Sequence, residues 1–154
     1  MTDESREIAP GITVNKKSGF GQPVIKGTDV EVATVLAQLA QGSDPSKLSR
    51  QLGITKAGIR AAIGYAAEII GEEPPSRVNE TIELSPGVIK DGRIRFGKPI
   101  VQGTRIDVAM ILSHLSAGDS VADLVAGYNL TPQGVRAALG YAHKVVARER
   151  VSSL

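Results

Sequence analysis

Nine polar side chains of this chain are of types that contact nucleic acid. Lysine and arginine pair with phosphates, and threonine, glutamine and arginine can also donate to base edges. Most lie at the starts of two predicted helices, one in each half of the chain, or in the helix before. We therefore take them as candidate DNA-binding residues: Lys47, Arg50, Thr55, Lys56, Arg60, Arg105, Thr131, Gln133 and Arg136.

The chain offers little else from which to build a catalytic or metal site. It has no cysteine, which excludes disulfides, thiolate chemistry and cysteine-ligated zinc. His114 and His143 occur in the second half only, so we interpret them as surface or half-buried helix residues. Tyr65 and Tyr141 are interpreted as aromatic anchors with the hydroxyl at the surface. Without a nucleophile–base pair or paired carboxylates, we expect no enzyme activity, no cofactor and no metal.

The elements that position these residues come from a tandem duplication. A shift of 76 residues aligns 21–70 with 97–146 without a gap, and 18 of the 50 aligned pairs are identical. Average amino-acid usage would give about three. We predict a first unit at 8–71, a linker at 72–82 and a second unit at 83–148. Units this small are marginally stable alone, so we expect them to share an apolar face.

Each unit begins with turn residues between β-branched runs, which predict a small hairpin, and continues with three helices. Residues 1–7 are expected to fray, and the first hairpin turn is placed at 15–19. Asp44 caps a short second helix, Gly53 and Asn129 allow a tight turn, and Thr55 and Thr131 cap a longer third helix. The side chains expected to be buried by the second helix are Leu48 and Leu52, with Leu124 and Tyr128 in the second unit.

A short helix, a tight turn and a longer helix are typical of a helix-turn-helix. The predicted fold class is therefore mainly α with short β-hairpins, as two tandem three-helix, winged-helix-like helix-turn-helix units that form a pseudo-dimer. The third helices also carry small residues (Ala57, Gly58 and Ala61, with Gly134 and Ala137), which would let another backbone approach closely. The sequence pattern is compatible with two roles for this helix, contact with DNA and packing against a protein.

Charge and hydropathy narrow the class of protein only slightly. The net charge is +2, shared as −1 over residues 1–76 and +3 over 77–154. Such a balance permits nucleic-acid contact without requiring it. The polar first residues lead us to expect no signal peptide, and no apolar run approaches the roughly 18 residues of a membrane span. We expect a soluble, cytoplasmic protein without a membrane partner.

Residues 97–106 (Gly-Lys-Pro-Ile-Val-Gln-Gly-Thr-Arg-Ile), followed by Leu-x-x-Leu-x-x-Gly and Ala-Ala-Leu-x-Tyr-Ala, form a distinctive pattern. It resembles the bacterial family known as domain of unknown function 433, and both halves match. The resemblance implies a helix-turn-helix antitoxin of the VapB type that neutralises a ribonuclease toxin and represses its own operon. Asp29 stands where the family has the arginine that the second half keeps as Arg105, so the second half is the expected DNA contact.

The leading hypothesis is therefore a DNA-binding, antitoxin-like transcriptional regulator. Its expected partners are double-stranded DNA with a palindromic operator, a toxin protein, and further copies of the chain through exposed helix faces. The alternative is a protein–protein interaction module without DNA affinity. The acidic first half and the small residues of the third helix favour this alternative.

Overall fold

The first repeat begins with a strand, where the sequence predicts a frayed leader. The computed structural model describes residues 5–15 and 21–149, so most of the predicted turn at 15–19 lies outside the described residues. The elements of this repeat, in chain order, are β1 (Ser5–Ala9), β2 (Ile12–Asn15), β3 (Val24–Ile25), α1 (Val32–Ala40), α2 (Pro45–Leu52) and α3 (Lys56–Gly71).

The second repeat has the same elements in the same order, and each begins 76 residues after its counterpart. No helix in the described ranges is long and apolar enough to cross a membrane. The elements of this repeat are β4 (Thr81–Ser85), β5 (Val88–Asp91), β6 (Ile100–Val101), α4 (Val108–Ser116), α5 (Val121–Tyr128) and α6 (Pro132–Arg148).

Each repeat opens with a three-stranded antiparallel sheet. In the first, β2 is central, and its Ile12 pairs with Ala9 of β1 on one side and with Ile25 of β3 on the other. Pro10 and Gly11 connect β1 to β2, and Gly11 has a φ of 76°, which a residue with a Cβ rarely adopts. Strands β4, β5 and β6 pair in the same way.

These sheets show that the predicted fold class is wrong. The described residues form an α/β fold with six α-helices and two three-stranded antiparallel sheets. They do not form mainly α, winged-helix-like helix-turn-helix units paired as a pseudo-dimer. The prediction failed at the first strand of each repeat. Residues 6–7 of β1 and 81–83 of β4 are exposed on edge strands, so these strands lack the apolar alternation by which a strand is recognised.

The predicted helix boundaries, by contrast, are confirmed. The Asp44 carboxylate accepts a hydrogen bond from the backbone at the start of α2. Gly53 and Asn129 end α2 and α5 in the left-handed conformation, with φ of 67° and 55°. The hydroxyls of Thr55 and Thr131 accept backbone hydrogen bonds at the starts of α3 and α6. The capping and turn residues predicted from local chemistry therefore lie at the observed helix ends.

The two repeats interlock through their helices. The first helix of each repeat packs mainly against the third helix of the other, α1 against α6 and α4 against α3. Leu36 of α1 and Leu112 of α4 are fully buried. One contiguous apolar cluster includes buried residues from both repeats, which confirms the expected shared apolar face.

The tyrosines depart in part from their predicted roles. Tyr128 is 40% exposed although the sequence placed it in the core. Tyr65 and Tyr141 are buried anchors, and burial raises the pKa of Tyr65 to about 12. The hydroxyl of Tyr141 is not directed to solvent, because it donates to Glu73 in the linker at 2.7 Å. Burial and this carboxylate both raise the pKa of Tyr141.

Candidate functional site

Four cations of the first repeat lie on one corner, which we call the basic corner and define as α2, its turn and the first part of α3, residues 45–67. Lys47 and Arg50 are exposed on α2, opposite the buried Leu48. Lys56 and Arg60 are exposed four residues apart on α3, and this spacing places them on the same side of the helix. Residues 45–67 contain no aspartate or glutamate. The corner therefore has a formal charge of +4.

The equivalent corner of the second repeat is uncharged overall. Asp123, Ala126 and Pro132 stand where the first repeat has its two α2 cations and Lys56, and Arg136 alone keeps its charge. Asp123 forms a capping box with Ser120, in which the Ser120 amide donates to the carboxylate at 2.8 Å. These hydrogen bonds lower the pKa of Asp123. The acidic residue therefore has a structural role at the start of α5.

The remaining sequence-predicted residues are spread over the surface. Thr55 and Thr131 use their hydroxyl oxygens to cap α3 and α6, each accepting an amide hydrogen bond of 3.0 Å. Gln133 is exposed at the start of α6, and Arg105 is exposed in the loop after β6. Thr55 lies within the basic corner, whereas Arg105, Thr131 and Gln133 lie in the second repeat and are not part of that corner.

Three of the predicted residues do converge, in a cleft of about 710 Å³ between the repeats, which we call the inter-repeat cleft. Lys56 and Arg60 reach it from α3, and Arg136 reaches it from α6. Its walls are the loop between the first two helices of each repeat together with the start of α2 and of α5. Part of its apolar lining, Pro45, Val121 and Ala122, is exposed or half-buried. The rest of the apolar lining consists of side chains buried in the core: Leu39, Ile59, Ile63, Leu115 and Leu139.

The arginines of the cleft lie beside residues of the other repeat. A Cβ on Gly42 would lie 3.7 Å from the Cδ of Arg136, an ordinary van der Waals distance, so this arginine passes close to the loop after α1. The Ser116 hydroxyl donates to the Arg60 carbonyl at 2.8 Å. Neither guanidinium forms an ion pair within the described part of the chain. Their charges are therefore available to a ligand.

The small residues of the third helices contact their own sheets. A Cβ on Gly58 would lie 3.0 Å from Ile25 of β3, and a Cβ on Gly11 would lie 3.0 Å from the Cβ of Ala61. The second repeat shows the same contacts between Gly134 and Val101 and between Ala137 and Gly87. Packing within each repeat therefore accounts for these small residues without a partner protein.

A hydrogen-bonded chain at the surface was missed at the sequence level. Asp119 Oδ2 lies 2.8 Å from His114 Nδ1, and the Tyr128 hydroxyl lies 3.1 Å from His114 Nε2. A comparison of the repeats could have shown it, because Gln38, Ser43 and Leu52 hold these places in the first repeat. Among the described residues, no group of three or more potential ligands could hold a metal ion.

A comparison with protein-family models places both repeats in one family. The model described as "Protein of unknown function (DUF433)" matches residues 12–66 and, separately, 88–142. These two ranges include the inter-repeat cleft, and they include the basic corner and its counterpart apart from one residue of each, Ala67 and His143. Searches of curated proteins and of solved structures found no match.

Proposed function

The chain belongs to the family of proteins of unknown function DUF433 in both of its repeats, and we propose that it binds double-stranded DNA through the basic corner. The observation that carries this proposal is the charge of +4 over residues 45–67, with all four cations exposed and no acidic side chain among them. Cations that neutralise phosphates release counterions, and this release drives much of protein–DNA binding.

The geometry of the basic corner suits contact with the phosphate backbone. Its cations come from the exposed side of α2 and from the start of α3, a helix of 16 residues. The amino-terminal end of a helix favours anions through its dipole and its free amides. Lys56 lies at that end, so its charge and the helix dipole act in the same direction. Arg60 follows one turn later.

We propose one contiguous contact in place of the palindromic operator suggested by the duplication. Half-sites read by a symmetric protein lie about 34 Å apart. Lys56 and Arg60 of α3 line the same cleft as Arg136 of α6, and the two helices contact each other. Their charges also differ, since three of the four cations have no counterpart in the second repeat. This arrangement favours a single asymmetric site.

The regulatory part of the proposal is that the chain represses its own operon as an antitoxin of the VapB type. It is supported by the resemblance of the motif at residues 97–106 and of its copy at 21–30. The exposed cations are consistent with it, since an autorepressor must bind DNA.

A second candidate function, protein–protein interaction, is favoured by three exposed apolar side chains in the first part of the second repeat and the linker before it. Phe96 is 79% exposed, and Val78 and Ile82 are 49% and 36% exposed. A ribonuclease toxin would be one such partner. We expect co-purification with the product of the adjacent gene to be lost in Phe96→Ser and kept in Lys47→Ala/Arg50→Ala. The reverse pattern would contradict a docking role for this surface.

The DNA proposal is tested by fluorescence anisotropy with the duplex upstream of the chain's own gene and a scrambled duplex of equal composition. At physiological salt we expect the native duplex to bind at least about a thousandfold more tightly than the scrambled one. Equal affinities would reject the regulatory role. Absence of binding to either duplex at about 50 mM salt would reject DNA binding, because phosphate contacts are strongest there.

A further inference from the structure

We propose that the inter-repeat cleft is a binding site for a small organic anion with an apolar body. Its volume of about 710 Å³ falls within the usual range of ligand pockets, about 300–1,000 Å³. Apolar walls with a few convergent polar groups are typical of such sites. This proposal does not depend on DNA binding.

Five side chains of the apolar lining belong to the interlocked core and are already packed there. Leu39 and Leu115 come from α1 and α4, and Ile63 and Leu139 come from α3 and α6. Each pair consists of equivalent residues in the two repeats, so each repeat supplies part of both the floor and the walls. A ligand seated here gains from burying its apolar surface, and little side-chain ordering opposes binding.

Charge determines the class of ligand. Lys56, Arg60 and Arg136 line the cleft, and no described residue forms an ion pair with them. The two carboxylates at its edge already have partners. Asp44 accepts from the Ser46 amide at 2.8 Å, and Asp119 lies 2.8 Å from His114 Nδ1. An anion bound between the arginines would therefore gain charge-assisted hydrogen bonds that a neutral molecule would lack.

The test compares two fluorescent probes that differ in one charged group, 8-anilinonaphthalene-1-sulfonate and the neutral N-phenyl-1-naphthylamine. We expect the sulfonate to bind saturably with one site per folded chain. Arg60→Gln and Arg136→Gln should each weaken its binding about tenfold, the change that loss of one charge-assisted contact would give. Binding of the neutral probe should change less than about twofold in the same variants.

Occlusion of the cleft gives a second test that leaves its charges intact. Ala122 is an exposed residue that lines the cleft from α5, and Ser46 is its equivalent on α2. Ala122→Phe and Ser46→Phe should each abolish sulfonate binding, and either variant suffices if the other fails to fold. Lys47→Gln changes a cation outside the cleft and should leave binding unchanged.

A single cooperative thermal transition in each variant excludes probe binding to partly unfolded chains. Sulfonate binding that survives both arginine substitutions, or both occluding substitutions, would overturn the proposal. Equal affinity of the two probes would also overturn it, because charge would then select nothing. Lys47→Ala/Arg50→Ala should weaken DNA binding and leave probe binding intact, so failure of the DNA proposal can be recognised separately.

Discussion

The corner of the first repeat carries four exposed cations, whereas the corner of the second carries one arginine and one aspartate on the same backbone. Both corners have a left-handed residue between their helices and a threonine cap on the longer helix. The difference is therefore confined to exposed positions. The two repeats therefore share the helix caps and the apolar core that form the fold. They differ in the charged side chains on their surfaces.

The contacts between the repeats show the same asymmetry on a smaller scale. Ser116 of α4 donates to a carbonyl of α3, but Ala40 is its equivalent in α1. His143 of α6 lies 2.8 Å from the Ala33 carbonyl of α1, but Ala67 is its equivalent in α3. The apolar packing is reciprocal, whereas both of these polar contacts use a side chain of the second repeat that alanine replaces in the first.

The largest effect is expected where the repeats are most alike. Leu36→Ala and Leu112→Ala each remove a fully buried side chain from equivalent helices, so each should lower the free energy of unfolding by about 3 kcal/mol. Denaturant unfolding should remain one transition in both variants, because the interlocked helices unfold together. Two transitions, with each substitution affecting only one, would show instead that the repeats are independent.

A smaller effect is expected from the buried tyrosines. Tyr141→Phe removes the hydrogen bond to Glu73 and should cost about 1.5 kcal/mol, since an ionised acceptor strengthens such bonds. Tyr65→Phe is the matched control, because its hydroxyl has no hydrogen-bond partner among the described residues. We expect this control to be nearly neutral in chemical denaturation. Equal costs would mean that the link between α6 and the linker adds no stability.

The glycines of the third helices should respond differently to substitution by alanine. A Cβ on Gly140 would lie 3.9 Å from the Cβ of Ala40, so Gly140→Ala should stabilise by up to about 1 kcal/mol through helix propensity. A Cβ on Gly64 would lie 2.7 Å from Ser116 Oγ and displace it from Arg60, which offsets that gain by about 1 kcal/mol. In a Ser116→Ala background, Gly64→Ala should stabilise as Gly140→Ala does. If Gly64→Ala and Gly140→Ala stabilise the chain equally while Ser116 is present, the proposed difference between the two glycines is contradicted.

The smallest effect concerns pH and one residue of the second sheet. The guanidinium and backbone amide of Arg93 hold the pKa of Asp91 well below its usual range, whereas Asn15 is the equivalent in the first repeat. A lowered pKa in the folded state adds stability above the unfolded pKa, which is lost as the pH falls through about 4 towards 2. Asp91→Asn should therefore lower Tm at pH 7 and much less at pH 2. An equal decrease in Tm at both pH values would mean that Asp91 stabilises the fold through packing and not through its charge.

The sequence predicted those features of the fold that are encoded by residues adjacent in the chain. The duplication and the caps at Asp44, Thr55 and Thr131 were predicted correctly, because turn chemistry is encoded in adjacent residues. The strands β1 and β4 were missed because edge strands with exposed polar side chains carry no alternating pattern. Apolar periodicity showed which helix faces are buried, but it could not show that α1 packs against α6.

The candidate site was predicted as separate residues and not as surfaces. Lys56, Arg60 and Arg136 were singled out for DNA contact, yet their meeting in one cleft depends on the interlocking of the repeats. Thr55 and Thr131 were assigned two roles, and the structure shows the capping role. The net charge of each half indicated DNA contact by the second repeat, because that sum includes cations far from the corner. The exposure and position of the individual cations favour DNA contact by the first repeat.

The most direct test of the central claim is the salt dependence of duplex binding by the wild-type chain and two double variants. The slope of log K against log salt changes by about 0.9 for each phosphate contact. Lys47→Ala/Arg50→Ala should therefore reduce the slope by about 1.8, while Arg105→Ala/Arg136→Ala leaves it unchanged. A reduced slope in the second variant and an unchanged slope in the first would contradict the account and assign the DNA contact to the second repeat.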